Sequence, residues 1–536
     1  MTSDSAPDPA GDRSVAVTAT RPPTEATAAQ YRRLGYWSAP RPRSAEHREL
    51  RSGADRTALV DNRGGWSYRH LADVVASTCA RMSAAGIGPG DAVLIVAPLS
   101  NAAVAAYLAA TNHGCVAVLL DRRCGASDLR HAHAATRPRL TLARAHDAES
   151  LRLREYGPVL TLEEISTVSA GAEIDDPTLL DFDAAAVVMF TSGTTGTPKG
   201  VVHSRNTLRC GSANMAEALR FGADDIPFLS TPLASITGVV QLHMTLSAHA
   251  TLILEDAFDP VSSAARVREH GATVIGGAPV ILEQLFAEYE RQGLRGLPLR
   301  SIAVGGTAIP HHLIDTAVRR YGIEPIRVYG STEVPFSTCS PVHRDAAATE
   351  SDEGMPLRGV DIAIRDDVDH ELLVRGPHRF LGYLDPDHNT DTFDGEWVRT
   401  GDQARITAGR LAITGRLKEI VARKGMKISL GEIDAATAVL RDIGECVAYG
   451  VPDPETGERL VLALRCSAPT APELAEITGR LRQSGLAKWK LPEQVVLWDE
   501  PFPRTESGKI QRKEVAARAA GRPTLLTPRL RDPERA

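Results

Sequence analysis

Val187-Val-Met-Phe-Thr-Ser-Gly-Thr-Thr-Gly-Thr-Pro-Lys-Gly-Val-Val-His203 is the stretch on which the architecture turns. An apolar run of strand character enters a loop crowded with hydroxyls and glycines, reaches Lys199, and leaves through a second apolar pair. Glycine lets a backbone approach an anion closely, Ser and Thr supply donors, and lysine supplies a point charge, a combination suited to a polyphosphate. The pattern is not a Walker loop, because Lys199 follows Pro198 rather than Gly and precedes Gly200 rather than Ser or Thr. Thr191, Ser192, Gly193, Thr194, Thr195, Gly196 and Lys199 are the candidate phosphate ligands. A polar surface turn has the same composition, so the loop has to be weighed with the rest of the chain.

Working outward, short apolar runs alternate with longer helical patterns from about Tyr31 to Thr414, as in Ala92-Val-Leu-Ile-Val-Ala-Pro98, Thr273-Val-Ile-Gly276 and Ser301-Ile-Ala-Val304. That alternation predicts an α/β fold with largely parallel strands and helices on both faces. Composition shifts at Gly415-Arg-Leu-Lys-Glu-Ile-Val-Ala-Arg-Lys-Gly-Met-Lys427, where basic residues and glycines bracket a short apolar run, and the domain boundary is placed there. Helical segments around Glu432 to Arg441 and Pro472 to Ser484, with strands around Val447 and Leu460, suffice for a small α+β domain. The expected organisation is a disordered leader over 1–30, a large N-terminal domain over 31–415, a small C-terminal domain over 416–518 and a flexible tail over 519–536.

A chain of 536 residues exceeds one compact core and has ample area to bury. With 43% apolar and 24% charged residues and a net charge of -6, nothing calls for nucleic acid or an anionic membrane, and small molecules are the expected partners. Seven cysteines without paired short spacings argue against a zinc site or a disulfide framework and suit a reducing cytoplasm. The charge-free stretch Asn101 to Leu120 approaches the length of a membrane span. Thr111, Asn112, His113 and Gly114 interrupt it, which predicts a helix followed by a buried strand.

Further stretches recur in order beyond the loop: Thr231-Pro-Leu-Ala-Ser-Ile-Thr-Gly238, Gly305-Gly-Thr307, Tyr329-Gly-Ser-Thr-Glu333, Glu371-Leu-Leu-Val-Arg-Gly-Pro377, Trp397-Val-Arg-Thr-Gly-Asp402, Gly415-Arg-Leu-Lys418 and Pro503-Arg-Thr-Glu-Ser-Gly-Lys-Ile510. In this order and spacing, from about Arg56 to Glu514, the chain resembles the adenylate-forming superfamily of acyl-CoA synthetases, aryl-CoA ligases, luciferases and peptide-synthetase adenylation domains. The resemblance implies packed α/β sheets in an AMP-binding N-terminal domain, a mobile C-terminal domain joined by a hinge, and ATP, Mg²⁺ and coenzyme A as cofactors.

It also implies roles residue by residue. Thr191 to Lys199, with Gly306 and Thr307, would wrap nucleotide and phosphates; Tyr329 would offer a ring to adenine, and Gly330 and Ser331 would shape that loop. Thr332 would reach the α-phosphate, and Glu333 would be the Mg²⁺ ligand. Asp402 and Arg416 would hold the ribose, and Lys509 would bridge the carboxylate and α-phosphate as the first catalytic candidate, with Lys199, Thr332 and Glu333 beside it. Lys418 would be the hinge, and Lys424 and Gly425 would face the thiol acceptor after domain rotation. The acyl pocket would be lined by Ala234, Ser235, Ile236, Gly238, Gly305 and Val334.

Departures from the family matter. Ala234-Ser235 stands where a bulkier pair is common, which predicts a wider or more polar pocket, and no aspartate stands at Ser235 to pair an α-ammonium. Leu430 replaces a usual proline and His370 a usual glycine. The expected activity is activation of an aryl, alicyclic or medium-chain acid to its adenylate, then transfer to CoA. Two alternatives are delivery to a separate carrier protein or unusual acceptor, including nitrite-dependent diazotisation of an aminoaryl acid, and a catalytically silent nucleotide-binding module.

Overall fold

A computed structural model describes residues 17–18, 20–168, 172–191, 198–277, 279–294, 296–305, 311–341, 352–365, 369–417, 419–423, 426–440, 442–466, 472–504, 510–527 and 530. Two large sheets build the N-terminal part. One has six strands in the order Lys199–Ser204, Ala185–Thr191, Val116–Asp121, Ala92–Ala97, Leu140–Ala143 and Val159–Thr161, all parallel except the first pair. The second has nine strands, with a parallel run through Glu324–Tyr329, Ser301–Gly305, Val274–Gly277, Pro227–Leu229, Leu252–Leu254 and Thr57–Asp61.

Helices Tyr68–Ala84, Asn101–Asn112 and Ile236–Ser247 contribute to one apolar core with strands of both sheets. The alanine-rich Asn101–Asn112 starts where the Ser100 hydroxyl accepts from Ala103 N–H and stops before Gly114, whose φ of 82° is left-handed. Twelve residues at about 1.5 Å each make about 18 Å, well short of a bilayer. Among the described residues no helix is long and apolar enough to cross a membrane. The expected helix followed by a buried strand, Val116–Asp121, is what forms.

An antiparallel sheet of Asp361–Ile364, Glu371–Arg375, Trp397–Thr407, Phe393–Asp394 and Arg410–Arg416 follows. The chain changes sheet between Arg416 and Ile420, and a separate sheet built on Gly444–Asp453, Gly457–Cys466 and Gln494–Trp498 forms the C-terminal unit with helices Leu430–Ala436 and Leu474–Gln483. Gly415 is needed at the junction, since a methyl there would lie 2.5 Å from Ser429 Oγ.

Among the described residues, part of each end has regular structure that its composition does not suggest. The leader expected through residue 30 gives way to helix Glu25–Arg33, capped by Thr24, and Arg21 N–H donates to Leu381 O at 2.7 Å. In the expected tail, Thr524–Leu526 pairs antiparallel with Gln494–Trp498. In each case a backbone hydrogen bond to a segment distant in sequence adds order that composition does not announce. Leu430 and His370 also acquire physical meaning. Leu430 N–H donates to Glu419 O at 2.9 Å, a bond proline could not make, and His370 has the left-handed φ of 48° that favours glycine.

Candidate active site

Tyr329 ends the parallel strand Glu324–Tyr329, at the edge where parallel sheets leave their ligand crevice. Asp402 and Arg416 face each other across the antiparallel pair Trp397–Thr407 and Arg410–Arg416. The Tyr329 hydroxyl donates to Asp402 Oδ2 at 2.7 Å, and Arg416 Nε lies 3.0 Å from Oδ1. Asp402 N–H donates to Thr400 Oγ1 at 3.1 Å, and that hydroxyl donates to Leu372 O at 2.8 Å, which fixes the turn. Burial pushes the Asp402 carboxyl above its usual range while Arg416 opposes the shift, and burial likewise raises the Tyr329 phenol, keeping it a donor. Each carboxylate oxygen retains a second lone pair, so the aspartate can still accept from a diol such as ribose.

The loop after Tyr329 is held by its carbonyls. Gly330 is required because a methyl there would lie 2.5 Å from Phe336 N. Thr332 O accepts from His203 Nε2 at 2.7 Å, Glu333 O from Phe380 N–H at 2.8 Å, Val334 O from the Ser337 hydroxyl at 2.9 Å, and Phe336 O from Asn214 Nδ2 at 3.2 Å. His378 Nε2 meets the Ser337 hydroxyl at 2.9 Å. Ser331 Oγ accepts from Glu333 N–H at 3.2 Å. With the backbone tied down, the Thr332 and Glu333 side chains project from a rigid base.

Glu333 and Lys199 meet at one aromatic ring. The Tyr383 hydroxyl donates to Glu333 Oε1 at 2.8 Å, and Lys199 Nζ lies 4.6 Å from the centre of the same ring. The segment around Tyr383 pairs with the Lys199–Ser204 strand: Leu381 N–H donates to Val202 O at 2.8 Å, Val202 N–H to Gly382 O at 3.1 Å and Leu384 N–H to Gly200 O at 2.8 Å. Among the described residues no group of three or more His, Cys, Asp or Glu could hold a metal by protein ligands alone. A single oriented carboxylate close to the Lys199 side chain fits Mg²⁺, which takes one or two carboxylates together with phosphates and water. Glu333 is therefore the residue suited to hold it.

In the acyl segment the Ser235 hydroxyl donates to Pro232 O at 2.7 Å and accepts from Gly238 N–H at 3.1 Å, capping helix Ile236–Ser247. Its polarity serves the helix. Gly238 has no room for a side chain, since a methyl would lie 2.2 Å from Pro232 O, and Gly305 is equally tight against Val328 O at 2.5 Å. Ala234 and Ile236 are half-buried beside the central core, whereas Val334 is fully buried in a second apolar cluster. Thr191 ends strand Ala185–Thr191 opposite Lys199. Ser192, Gly193, Thr194, Thr195, Gly196, Gly306, Thr307, Lys418, Lys424, Gly425 and Lys509 lie outside the described residues.

Sequence reasoning assigned no role to His203 or Tyr383. His203 stands within the decisive stretch, four residues after Lys199, and that proximity was its only signal; Tyr383 carries none.

Tyr329, joined to Asp402 and Arg416, and Glu333, joined to Tyr383 beside Lys199, stand four residues apart at the carboxyl end of a parallel strand, and a nucleotide-binding enzyme is the class this fold and site suit. The model of the AMP-binding enzyme family matches residues 46–384, and that of the AMP-binding enzyme C-terminal domain matches residues 432–509. More than half of the chain falls within the first match, and the chain belongs to the AMP-binding enzyme family. It is an AMP-forming acid–thiol ligase of the acyl-CoA synthetase type.

The chain is 29% identical over 519 residues to a medium-chain fatty-acid–CoA ligase of Escherichia coli, covering 90% of this chain and 91% of that one. It is 27% identical over 499 residues to a feruloyl-CoA synthase of an Amycolatopsis species, covering 90% and 99%. Its fold is similar to that of the o-succinylbenzoate coenzyme A synthetase of Bacillus subtilis in complex with ATP and magnesium ion, with a TM-score of 0.78, 22% identity and coverage of 89% and 100%.

Proposed function

We propose that the protein activates a carboxylic acid of the aryl, alicyclic or medium-chain class with ATP and passes the acyl group to coenzyme A in the cytoplasm. The observation that carries this reading is the tyrosine-tethered Asp402, with Glu333, four residues after that tyrosine, meeting Lys199 across Tyr383. In the first step a carboxylate oxygen of the acid attacks the α-phosphorus of ATP, an O–P bond forms, and the bond to the β-phosphate breaks to release pyrophosphate. In the second the CoA thiol, losing its proton, attacks the acyl carbonyl and AMP leaves.

Asp402 and Arg416 hold the ribose, Tyr329 borders the base, and Lys199 with Thr191 to Gly196 screens the departing phosphates. Thr332 donates toward the α-phosphate. Mg²⁺, when bound, neutralises phosphate charge, and Glu333 holds it. Lys509 screens the negative charge that grows on the oxygens around the α-phosphorus during the first step. The C-terminal domain, residues 416–518, then turns about Lys418 and brings Lys424 and Gly425 toward the thiol.

Support comes from the family match and from relatives named as a medium-chain fatty-acid–CoA ligase and a feruloyl-CoA synthase. The test is pyrophosphate release with ATP and Mg²⁺ across aryl, alicyclic and medium-chain acids, with thioester detected by mass spectrometry when CoA is added. Acid-dependent pyrophosphate and a CoA thioester are expected. Absence of pyrophosphate with every acid would sink the reading, and pyrophosphate without thioester would redirect the acyl group to another acceptor.

A further inference from the structure

Gln241 is fully buried, yet among the described residues neither its Oε1 nor its Nε2 has a hydrogen-bond partner. It lies on helix Ile236–Ser247, four residues beyond the half-buried Thr237 and so on the same face. A methyl on Gly276 would sit 3.3 Å from Nε2, 3.4 Å from Cδ and 3.5 Å from Oε1. These near-equal distances lay the amide flat over the glycine. Gly276 and Gly277 close strand Val274–Gly277, and Gly305 closes the neighbouring parallel strand. Gly276, a strand-end position without a side chain, thus borders the amide, at the carboxyl edge where parallel sheets bind ligands.

Among the described residues nothing nearby relieves it. The Thr231 hydroxyl points to Gly276 O at 3.5 Å, and the Thr245 hydroxyl donates to the main-chain oxygen of Gln241 at 2.8 Å. A buried amide without partners disfavours the ligand-free protein, and each such group in a native fold calls for a reason.

We propose that Gln241 determines specificity at the acyl site by selecting acids whose tail carries a neutral group that both donates and accepts a hydrogen bond, a hydroxyl or a carboxamide. The inference rests on the acid activation proposed above. The chemistry follows from the two idle edges. An alkyl tail would leave both unpaired, a carboxylate would face Oε1 with like polarity, and an ammonium would do the same to Nε2. Only a group with both functions answers both edges. A site built this way rejects the analogue lacking that group, because its own polar atoms stay unpaired.

The experiment measures pyrophosphate release by the full chain with para-hydroxybenzoate and para-hydroxycinnamate against their para-methyl counterparts, for the wild type and Gln241→Met. The wild type is expected to favour the hydroxylated acids by about tenfold or more in kcat/KM. Gln241→Met, unbranched and of similar length, should erase that preference, leave the KM for ATP unchanged and keep or raise the melting temperature of the ligand-free protein.

Wild-type melting should also rise more with each hydroxylated acid than with its methyl partner, a readout that does not depend on the variant folding. Equal rates on both members of each pair in the wild type would overturn the inference while leaving acid activation standing. So would a Gln241→Met protein that melts lower and loses activity evenly on both, which marks a scaffolding role. No pyrophosphate from any acid would overturn the proposed function and this inference together.

Discussion

His203 Nε2 donates to the main-chain carbonyl of Thr332 across 2.7 Å, tying the strand that carries Lys199 to the loop that carries Glu333. A carbonyl can only accept, so the proton sits on Nε2, and burial holds the ring neutral by lowering its pKa to about 4. His203 is thus a positioning residue. His203→Phe should lower kcat/KM for pyrophosphate release by about tenfold or more, the scale of one buried hydrogen bond lost with its acceptor left unpaired. His203→Gln, whose amide nitrogen can take the place of Nε2, should recover most of it. If Gln proved no better than Phe, the bond to Thr332 would not be what matters.

His203 and His378 are both fully buried, and burial depresses their pKa values to about 4 and about 3. Unfolding returns each to an ordinary value near 6.5, so the unfolded chain binds more protons between those limits. Their contribution is fully present above about pH 6.5 and is lost as pH falls toward 4, at up to about 1.4 kcal/mol per pH unit for each histidine. Urea midpoints at pH 7 and pH 5 should fall more steeply for the wild type than for His378→Gln. Parallel pH dependence in the two proteins would remove His378 from this account.

Tyr383→Phe keeps the ring beside Lys199 and deletes the hydroxyl that donates to Glu333 Oε1. A partner that orients a metal-binding carboxylate is worth about tenfold in metal affinity or more. The Mg²⁺ concentration for half-maximal pyrophosphate release should therefore rise by about tenfold, with the rate at saturating Mg²⁺ changed much less. An unaltered Mg²⁺ titration would show that Glu333 needs no such support or holds no metal.

Lys509→Ala should slow adenylation by about a hundredfold or more while ATP binding survives, since one preorganised charge is removed from a developing anion. Thioester formation from supplied acyl-AMP should be spared if the proposed domain rotation carries the lysine out of the site by that step. Equal losses in both half-reactions would count against domain rotation.

The closeness of Asp402 and Arg416 was legible in the sequence because each lies in a short motif, and the two face each other in one antiparallel pair. His203 and Tyr383 were not, because their bonds span 129 and 50 residues and a single side chain in a strand has no periodicity to reveal it. Ser235 read as pocket polarity, but a serine three residues before the glycine whose N–H it accepts is also a helix cap, and the cap is what forms. The helix Glu25–Arg33 was hidden by the leader's composition, although Thr24 carries the capping signal. Gln241 gave no sign at all, since one amide in an apolar helix looks like surface until the helix is seen to be covered on that side.

Lys199–Ser204 is the outermost strand of its sheet, and residues 381–384 pair along its open side, with Gly382 pressed so closely by Thr20 that a methyl would lie 2.4 Å from the threonine hydroxyl oxygen. An unpaired outer strand bearing Val201 and Val202 would be a template for a second chain to add onto. The closure that steadies the lysine therefore also guards the protein against self-assembly. Loosening Thr20 and Arg21 from this segment would bare an apolar β-edge while the core stayed folded, so clumping at high concentration would set in ahead of unfolding.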